Sequence, residues 1–401
     1  MESLTPASKS STSSNILSVS VLTALAVGAL GATVALAATA ISRKTTTNTS
    51  AEKAVPLPCA PIGSKFVTLP GSGINLRYTD SDDKATENSR PDDETSVKQL
   101  TLLMLHGFAG VLETWELMTP QILELYNTAG SKVKVRVVAL DLVGSGFSDK
   151  PIGTDFDYTL RSQGKVVSEF ISVLGLSNVV IVSFSAGTVV GAAVATEQHD
   201  LSQSESDEVA PVVGLVFAGG CLFRAKSSFY SKRWLKPIFH WVTAKLMTDR
   251  KQSLAKFHHP AHAERVLTDD LVEHFVAPTR LPNFNAALVE TVMAKEAPYE
   301  ELVDKLLSPP STANKAAANP LPMLFVWGNE DTYKPLPQLQ IDSIRQKLDA
   351  INASSSPQQQ QQQRIVETKE LEECHHYIQH DQPEALAKEI FLFVNKNVKL
   401  Q

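Results

Sequence analysis

Residues 179–194 read VVIVSFSAGTVVGAAV, and this stretch changes from an apolar run to a run of small residues around one serine, Ser185. The β-branched run at residues 179–182 is typical of a strand buried on both faces, whereas the residues after Ser185 suit a tightly packed helix. In the pattern G-x-S-x-G, the serine occupies a sharp strand-to-helix turn that exposes its hydroxyl above the sheet. Here Gly187 matches the second glycine and Ser183 replaces the first. Ser185 is therefore a candidate nucleophile; the alternative is a serine in an ordinary loop.

The composition limits the classes of protein to which this chain can belong. It has 401 residues, 43% of them hydrophobic, which is enough for one large α/β domain or two ordinary ones. A formal charge of −6 and a pI near 6.0 argue against a nucleic-acid-binding protein, which would usually present a basic surface. Cys59, Cys221 and Cys374 are too few and too scattered for a disulfide framework, and none has metal-ligand spacing. The sequence therefore implies no cofactor and no metal.

An uncharged segment at residues 10–42 lies near the N-terminus, and its core at residues 16–41 is mainly Leu, Val, Ala and Gly. As a helix, this core would extend roughly 39 Å, enough to cross a hydrocarbon layer of about 30 Å. We therefore predict that residues 1–54 form a single-pass membrane anchor and a linker. The alternative is a cleaved targeting segment and a secreted or organellar protein, because residues 35–40 resemble small-residue cleavage sites. The basic residues after the run favour a cytosolic position for the rest of the chain, whereas the glycosylation patterns at Asn48 and Asn352 would require the opposite side, so the sequence leaves the side open.

The remaining residues, 55–401, alternate between strand and helix patterns. Predicted strands lie at residues 65–69, 74–78, 100–105, 133–140, 179–182, 212–217, 321–327 and 364–368, the first two as a hairpin. Predicted helices lie at residues 113–126, 159–174 and 336–348, and after Pro383. This alternation predicts an α/β fold whose mostly parallel sheet has helices on both faces.

Three stretches interrupt that alternation. The strand pattern is missing from about residue 221 to residue 318, which predicts an inserted helical cap of about a hundred residues. Residues 80–96 and the Ser/Gln-rich residues 354–363 are predicted to be solvated insertions.

Four segments carry a family resemblance, in a fixed order along the chain. They are His106-Gly-Phe108, residues 141–148 (DLVGSGFS), Ser183-Phe-Ser-Ala-Gly187, and the pair of Gly328-Asn-Glu-Asp331 with His376. Together they resemble the α/β-hydrolase superfamily over about residues 60–398, with serine before aspartate before histidine. The resemblance implies the α/β-hydrolase fold, with the inserted helices as its cap.

The resemblance also implies a catalytic triad of Ser185, His376 and Asp331. A serine hydroxyl is a poor nucleophile, so it needs a base within hydrogen-bond reach, and that base needs a third group to orient it. His376 would take and return the proton, and Asp331 would hold the imidazole.

Other residues compete for these roles. Glu330 competes with Asp331, and His375 and His380 compete with His376, but the family's spacing from Gly328 and Pro383 favours Asp331 and His376. Cys374 lacks a turn of the kind around Ser185, which argues against a cysteine nucleophile.

An oxyanion hole is implied as well, formed by the backbone N–H groups of Phe108 and Ala186, because Gly107 lets the chain pass close above the nucleophile. His106 and Asp141 are interpreted as structural residues of the surrounding loops.

These observations favour a serine hydrolase that cleaves a carboxylic ester or a related acyl substrate, possibly lipophilic, through an acyl-enzyme. A carbon–carbon bond hydrolase with the same triad is one alternative. Family members that hydrolyse epoxides or halides carry an aspartate nucleophile, which Ser185 opposes. A catalytically silent ligand-binding module is the other alternative, favoured by Ser183 and by His375 at a position where the family commonly has glycine. The expected partners are a small-molecule or lipid acyl substrate and a membrane, with no nucleic acid.

Overall fold

The sheet at the centre of the molecule has eight strands. The computed structural model describes residues 57–82, 98–128, 133–153, 155–202, 211–220, 231–248, 250–295, 299–307, 321–332, 337–354 and 365–400. The strands are β1 (Lys65–Thr68), β2 (Asn75–Asp80), β3 (Lys98–Leu105), β4 (Val133–Leu140), β5 (Val179–Phe184), β6 (Val212–Ala218), β7 (Met323–Gly328) and β8 (Val366–Leu371).

The strand order is β1-β2-β4-β3-β5-β6-β7-β8. β1 and β2 form the predicted antiparallel hairpin, and β2 also pairs antiparallel with β4. Every pair from β4 with β3 through to β7 with β8 is parallel, which confirms the mostly parallel sheet. The carboxyl ends of parallel strands share one edge of a sheet, so the loops after β3, β4, β5, β7 and β8 gather there.

Helices cover the sheet on both faces, as predicted. In chain order they are α1 (Met118–Thr128), α2 (Leu160–Val173), α3 (Gly187–Ser202), α4 (Lys236–Thr248), α5 (Arg250–Ala255), α6 (Pro260–Val266), α7 (Asp269–Val276), α8 (Phe284–Met293), α9 (Glu300–Leu307), α10 (Pro337–Ser354), α11 (Ile378–Asp381) and α12 (Pro383–Asn397).

The strand side chains alternate between two apolar cores. In β3, Leu103 and Leu105 belong to one core, whereas Leu102 and Met104 belong to the other. All six residues of β5 are buried, as its β-branched sequence predicts for a strand covered on both faces. The strand that leads into Ser185 is therefore among the most firmly packed parts of the sheet.

The described residues between β6 and β7 form helices only, α4 to α9 with short 3₁₀ turns. This agrees with the predicted helical cap, although its predicted limits at residues 221 and 318 lie outside the described residues. Leu271 and Phe275 of α7 are buried in the same apolar core as β3, whereas Trp234 and Trp241 are 63% and 46% exposed. Part of the cap's apolar surface thus packs on the body and part faces outward.

Two predicted helices have different limits in the structure. The helix expected at residues 113–126 divides into a 3₁₀ turn at Leu112–Trp115 and α1, because Thr114 and Glu116 donate to carbonyls three residues back. The helix expected at residues 336–348 continues to Ser354, since no Gly or Pro interrupts it before Pro357.

Several predictions fall outside the described residues. These are the N-terminal anchor with the boundary near residue 54, most of the acidic insertion after residue 80, and the Ser/Gln-rich segment after residue 354. Among the helices of the described ranges, none combines the length and the apolar character needed to cross a membrane.

Candidate active site

Ser185 lies between the end of β5 and the start of α3, at the turn that the sequence predicts. Its φ angle is 51°, in the left-handed region that non-glycine residues rarely adopt. Two backbone hydrogen bonds hold the turn, from Ser185 N to Ala218 O (3.0 Å) and from Thr188 N to Ser185 O (3.0 Å). The surrounding sheet thus maintains a strained backbone at this serine.

The small residues around Ser185 are required by close backbone approaches. A Cβ on Gly187 would lie 2.5 Å from His106 O, and a Cβ on Gly107 would lie 2.9 Å from the Ser185 Cβ. Ser183, which replaces the family's first glycine, is fully buried, and its hydroxyl donates to Val216 O at 3.1 Å. The extra Cβ at this position is therefore accommodated.

The structure brings Ser185, His376 and Asp331 together. His376 Nε2 lies 2.9 Å from Ser185 Oγ, and His376 Nδ1 lies 2.8 Å from Asp331 Oδ2. The three residues are 8%, 6% and 7% exposed. In this geometry the serine hydroxyl donates to Nε2 and the Nδ1–H group donates to the carboxylate, which fixes the tautomer of the imidazole.

Asp331 and His376 reach Ser185 from the loops after β7 and β8. Asp331 N donates to Gly328 O, the last residue of β7. A Cβ on Gly328 would lie 2.1 Å from Cys374 O, so glycine at this position lets the two loops touch. Because both strands are parallel to β5, residues far apart in sequence meet at one edge of the sheet.

The competing histidines lie elsewhere. His375 Nε2 is 3.5 Å from Glu330 Oε2, and His380 Nδ1 is 2.9 Å from His258 Nε2 in a fully buried pair. Glu330 pairs with His259 and His375, whereas Asp331 bonds His376.

Cys374 is also an unsuitable nucleophile. Burial raises the pKa of its thiol, with Asp381 and Asp331 adding to the effect, so the reactive thiolate is disfavoured.

The amides of Phe108 and Ala186 lie in the two segments that meet at Ser185. Ala186 follows Ser185, and Phe108 follows Gly107, whose Cα faces the Ser185 side chain. Within the described part of the chain, neither amide donates to another protein group. Both residues also line a common cavity.

That cavity lies between the sheet edge and the cap. Its apolar lining includes Leu142, Val143, Leu160 and, from α8, Leu288. Gln163 also lines it, but its side chain already bonds both Val143 N and Val143 O. The cavity therefore suits the apolar part of a ligand better than a charged part.

Asp141 braces the loops around the site, as the sequence analysis expects. Its side chain accepts from Leu112 N and Phe147 N at 2.8 Å, and from Arg77 Nη1 at 3.1 Å. Arg77 also pairs with Glu113 and is 1% exposed. The Arg77 and Glu113 contributions carry no sequence motif and were not predicted.

A second unpredicted contact comes from the cap. Arg250 is buried, its Nη2 donates to Ala109 O at 2.6 Å, and its guanidinium lies 5.2 Å from the Phe275 ring centre. The contact joins α5 to the loop that carries Phe108. An arginine near the start of a predicted cap helix gives no local signal of this role.

One group of side chains could hold a metal ion. Among the described residues, ligand atoms of His259, Glu330 and His375 all lie within 4.8 Å of one another. These residues are separate from the Ser185 arrangement, although Glu330 and His375 each precede one of its members.

Comparison with known proteins agrees with this fold. Residues 102–389 match a model described as the alpha/beta hydrolase family. That match spans well over half of the chain, and the chain belongs to the alpha/beta hydrolase family. No curated protein gives a significant match.

Several solved structures share the fold at low sequence identity. The epoxide hydrolase CorEH, solved without ligand, has a TM-score of 0.54 and 16% identity, covering 83% of this chain and 98% of that chain. A thermophilic esterase from Thermogutta terrifontis, with malate bound, has a TM-score of 0.52 and 16% identity. That match covers 84% of this chain and 99% of the esterase chain. A membrane phospholipase A described as a bacterial virulence factor has a TM-score of 0.52 and 19% identity. That match covers 95% of this chain and 97% of the phospholipase chain. Because all three are distant, they show the fold alone.

Proposed function

We propose that this chain is a serine hydrolase that cleaves a carboxylic ester or a related acyl substrate through an acyl-enzyme. The observation that carries the proposal is the hydrogen-bond chain from Ser185 Oγ through His376 to Asp331, with distances of 2.9 and 2.8 Å. A nucleophile, a base and an orienting group within hydrogen-bond reach define this chemistry.

In the first half of the reaction, Ser185 Oγ attacks the carbonyl carbon while its proton passes to His376 Nε2. The carbonyl oxygen becomes an oxyanion that accepts from the N–H groups of Phe108 and Ala186. The bond to the leaving group then breaks, and His376 returns the proton to the departing oxygen, which releases the alcohol. Asp331 stabilises the imidazolium without accepting its proton.

In the second half, water takes the place of the alcohol. His376 removes a proton from the water as its oxygen attacks the acyl carbon, and the ester bond to Ser185 Oγ breaks. The proton returns to Ser185, and the carboxylic acid leaves.

The cavity favours a substrate with an apolar acyl group. Its lining beside Phe108 and Ala186 includes the aliphatic side chains of Leu142, Val143 and Leu160, and α8 of the cap supplies Leu288. A lipophilic ester is therefore the substrate class that we propose. A carbon–carbon bond hydrolase and a silent ligand-binding module stay as alternatives.

We test the proposal with a fluorophosphonate, which reacts with an activated serine. Intact mass of the full-length protein should show one adduct, and Ser185→Ala should show none. Ser183→Ala is the matched control, because Ser183 lies in β5 two residues before Ser185 and its hydroxyl bonds Val216 O. An adduct should persist in this variant.

Hydrolysis of p-nitrophenyl esters of increasing chain length then tests the substrate class. We expect activity to rise from acetyl to octanoyl and to vanish in Ser185→Ala. An unmodified, folded wild-type protein would remove the hydrolase proposal and favour the ligand-binding module. An adduct without ester hydrolysis would favour the carbon–carbon bond hydrolase.

We also propose that the uncharged N-terminal run anchors the protein in a membrane. The support is its length and composition, since 26 residues at positions 16–41 include no charge. The protein should remain with membranes after alkaline carbonate extraction, and deletion of residues 1–54 should release it. Wild-type protein in the soluble fraction, shortened at its N-terminus, would instead indicate a cleaved targeting segment.

A further inference from the structure

Three potential metal ligands come from three separate parts of the fold. His259 is the N-cap residue of α6 in the cap, Glu330 follows β7, and His375 follows β8. His259 Nε2 lies 3.4 Å from Glu330 Oε1, and His375 Nε2 lies 3.5 Å from Glu330 Oε2. The two imidazole rings are perpendicular, with their centres 5.3 Å apart. The carboxylate thus lies between two histidine nitrogens.

The backbone of this group is held in place without a metal. Asp381, which is 1% exposed, accepts hydrogen bonds at one carboxylate oxygen, Oδ2, from both His259 N and His375 N, each at 2.9 Å. Glu330 N donates to Cys374 O at 3.0 Å. One buried carboxylate therefore holds the backbone of both histidines, and a third bond holds the backbone of the glutamate beside them, so a bound ion has only side chains to order.

The observed spacing fits a small divalent cation. Zinc binds histidine nitrogen and carboxylate oxygen at about 2.0–2.2 Å, so ligand atoms in a tetrahedral site lie roughly 3.3–3.5 Å apart. The nitrogen–oxygen separations are 3.4 and 3.5 Å, one to each carboxylate oxygen, and the three ligand atoms all lie within 4.8 Å of one another, so small side-chain movements reach this spacing. Two histidines and one glutamate, with a fourth position open to solvent, are a ligand set that zinc uses in proteins. Magnesium and calcium prefer oxygen ligands and do not match it.

Coordination also requires a proton rearrangement at His259. Its Nδ1 accepts from Ala261 N at 3.3 Å, so the proton of the neutral ring is on Nε2 and points to Glu330. When Nε2 binds an ion, its proton is displaced and the neutral ring carries its proton on Nδ1. Two contacts are lost in this step: the Nε2–H contact with Glu330, which coordination replaces, and the bond from Ala261, which at 3.3 Å is long and weak.

We propose that His259, Glu330 and His375 form a zinc-binding site that joins the cap to the loops after β7 and β8. Glu330 directly precedes Asp331, and His375 directly precedes His376. An ion at this site fixes the cap against both loops. The site is distinct from the Ser185 arrangement, and its existence does not depend on the proposed hydrolase activity.

Titration calorimetry of full-length protein with Zn²⁺ tests the site, after treatment with a chelator and its removal. We expect one ion per chain with saturable binding, and an increase in the unfolding temperature when Zn²⁺ is added. Glu330→Gln keeps the side-chain shape and should weaken binding at least tenfold, and His259→Ala should do the same. Mg²⁺ at the same concentrations should give no saturable signal.

His274→Ala is the matched control. His274 lies 3.2 Å from Glu116, a second histidine–glutamate pair that forms no three-ligand group among the described residues. The His274→Ala variant should bind Zn²⁺ with the affinity of the wild type. No saturable binding by the wild-type protein would overturn the proposal, as would equal affinity in Glu330→Gln and His259→Ala. Fluorophosphonate labelling of the metal-free protein reports separately on Ser185, so failure of one proposal is distinguishable from failure of the other.

Discussion

At the scale of single residues, the site depends on backbone positions that tolerate few side chains. Ser185 has a φ of 51°, a conformation that persists in non-glycine residues only where the surroundings impose it. Gly107 approaches the Ser185 side chain so closely that an added Cβ would lie 2.9 Å from the Ser185 Cβ. The turn at Ser185 and the loop of Phe108 are therefore closely matched in shape.

We predict that Gly107→Ala impairs catalysis more than folding. The new methyl group must displace either Ser185 or the loop that carries Phe108, and a shift near 1 Å can reduce the rate by roughly 10²-fold. Steady-state ester hydrolysis should show this as a lower kcat. Gly220→Ala is the control, since its Cβ would approach no atom closer than 3.8 Å. Equal activity in the two variants would contradict the close approach.

A second prediction at this scale concerns Asp331. Asp331→Asn keeps the size of the side chain but removes the charge that orients His376 through the 2.8 Å bond to Nδ1. We expect kcat to fall by roughly 10⁴-fold with the unfolding temperature little changed. Asp342→Asn, an exposed change on α10, serves as the control for activity. Retention of wild-type kcat by Asp331→Asn would show that another group orients the base.

At the scale of elements, a buried ion network joins the edge of the sheet to the loops of the site. Arg77 on β2 pairs with Glu113 in the 3₁₀ turn before α1 and with Asp141 in the loop after β4. Asp141 also binds the backbone N–H groups of Leu112 and Phe147. Desolvation by burial opposes the charge on Arg77, but coulombic attraction to Asp141 and hydrogen bonding to Glu113 together outweigh it and raise the pKa of Arg77.

We predict that Arg77→Met destabilises the protein by about 3–5 kcal/mol, because it leaves two buried carboxylates without their cation. Arg280→Met is the matched control, since Arg280 pairs with Glu273 at the surface and such pairs contribute about 0–1 kcal/mol. Urea unfolding followed by circular dichroism measures both variants. If the free energy of unfolding falls no further in Arg77→Met than in Arg280→Met, the carboxylates of Glu113 and Asp141 find other partners.

At the scale of the whole molecule, the stability of the fold depends on His106, a histidine that is buried in its neutral form. His106 Nε2 accepts from Leu142 N at 3.0 Å, and its Nδ1–H donates to Gly107 O at 2.8 Å. Both nitrogens are thus satisfied without a second proton. Burial lowers the pKa of His106, against a smaller opposite effect of Asp141. A second proton would be on Nε2, where it would point at the Leu142 N–H group and remove the hydrogen bond from that group.

This arrangement predicts a loss of stability in acid. An unfolded histidine titrates near pH 6.5, so between that pH and the lower folded pKa the unfolded chain binds more protons. The contribution of His106 is therefore complete above about pH 6.5 and falls as the pH decreases, by at most about 1.4 kcal/mol per pH unit. Urea unfolding from pH 7.5 to 5 should show a shallower decline in His106→Gln than in wild type. His240→Gln, at a partly exposed position on α4, should keep the wild-type slope, and an unchanged slope in His106→Gln would refute the assignment.

Local sequence predicted the elements well where the signal lay in adjacent residues. The β-branched residues 179–182 predicted β5, and the small residues after Ser185 predicted α3, because burial and helix packing act within one segment. The limits of α1 and α10 were less well predicted. Backbone bonding and the absence of a stop signal decide helix limits, and neither changes the periodicity of the apolar residues.

The sequence by itself determined the family pattern, the position of Ser185 in its turn, and the prediction that Asp331 and His376, rather than their neighbours, meet Ser185. These depend on short motifs, each of which consists of neighbouring residues in the sequence. Only the tertiary structure decided which distant groups meet: Arg77 with Asp141, Arg250 with Ala109, and His259 with Glu330 and His375. Each of these contacts joins elements through the sheet order and the placement of the cap, so no local pattern in the chain encodes it.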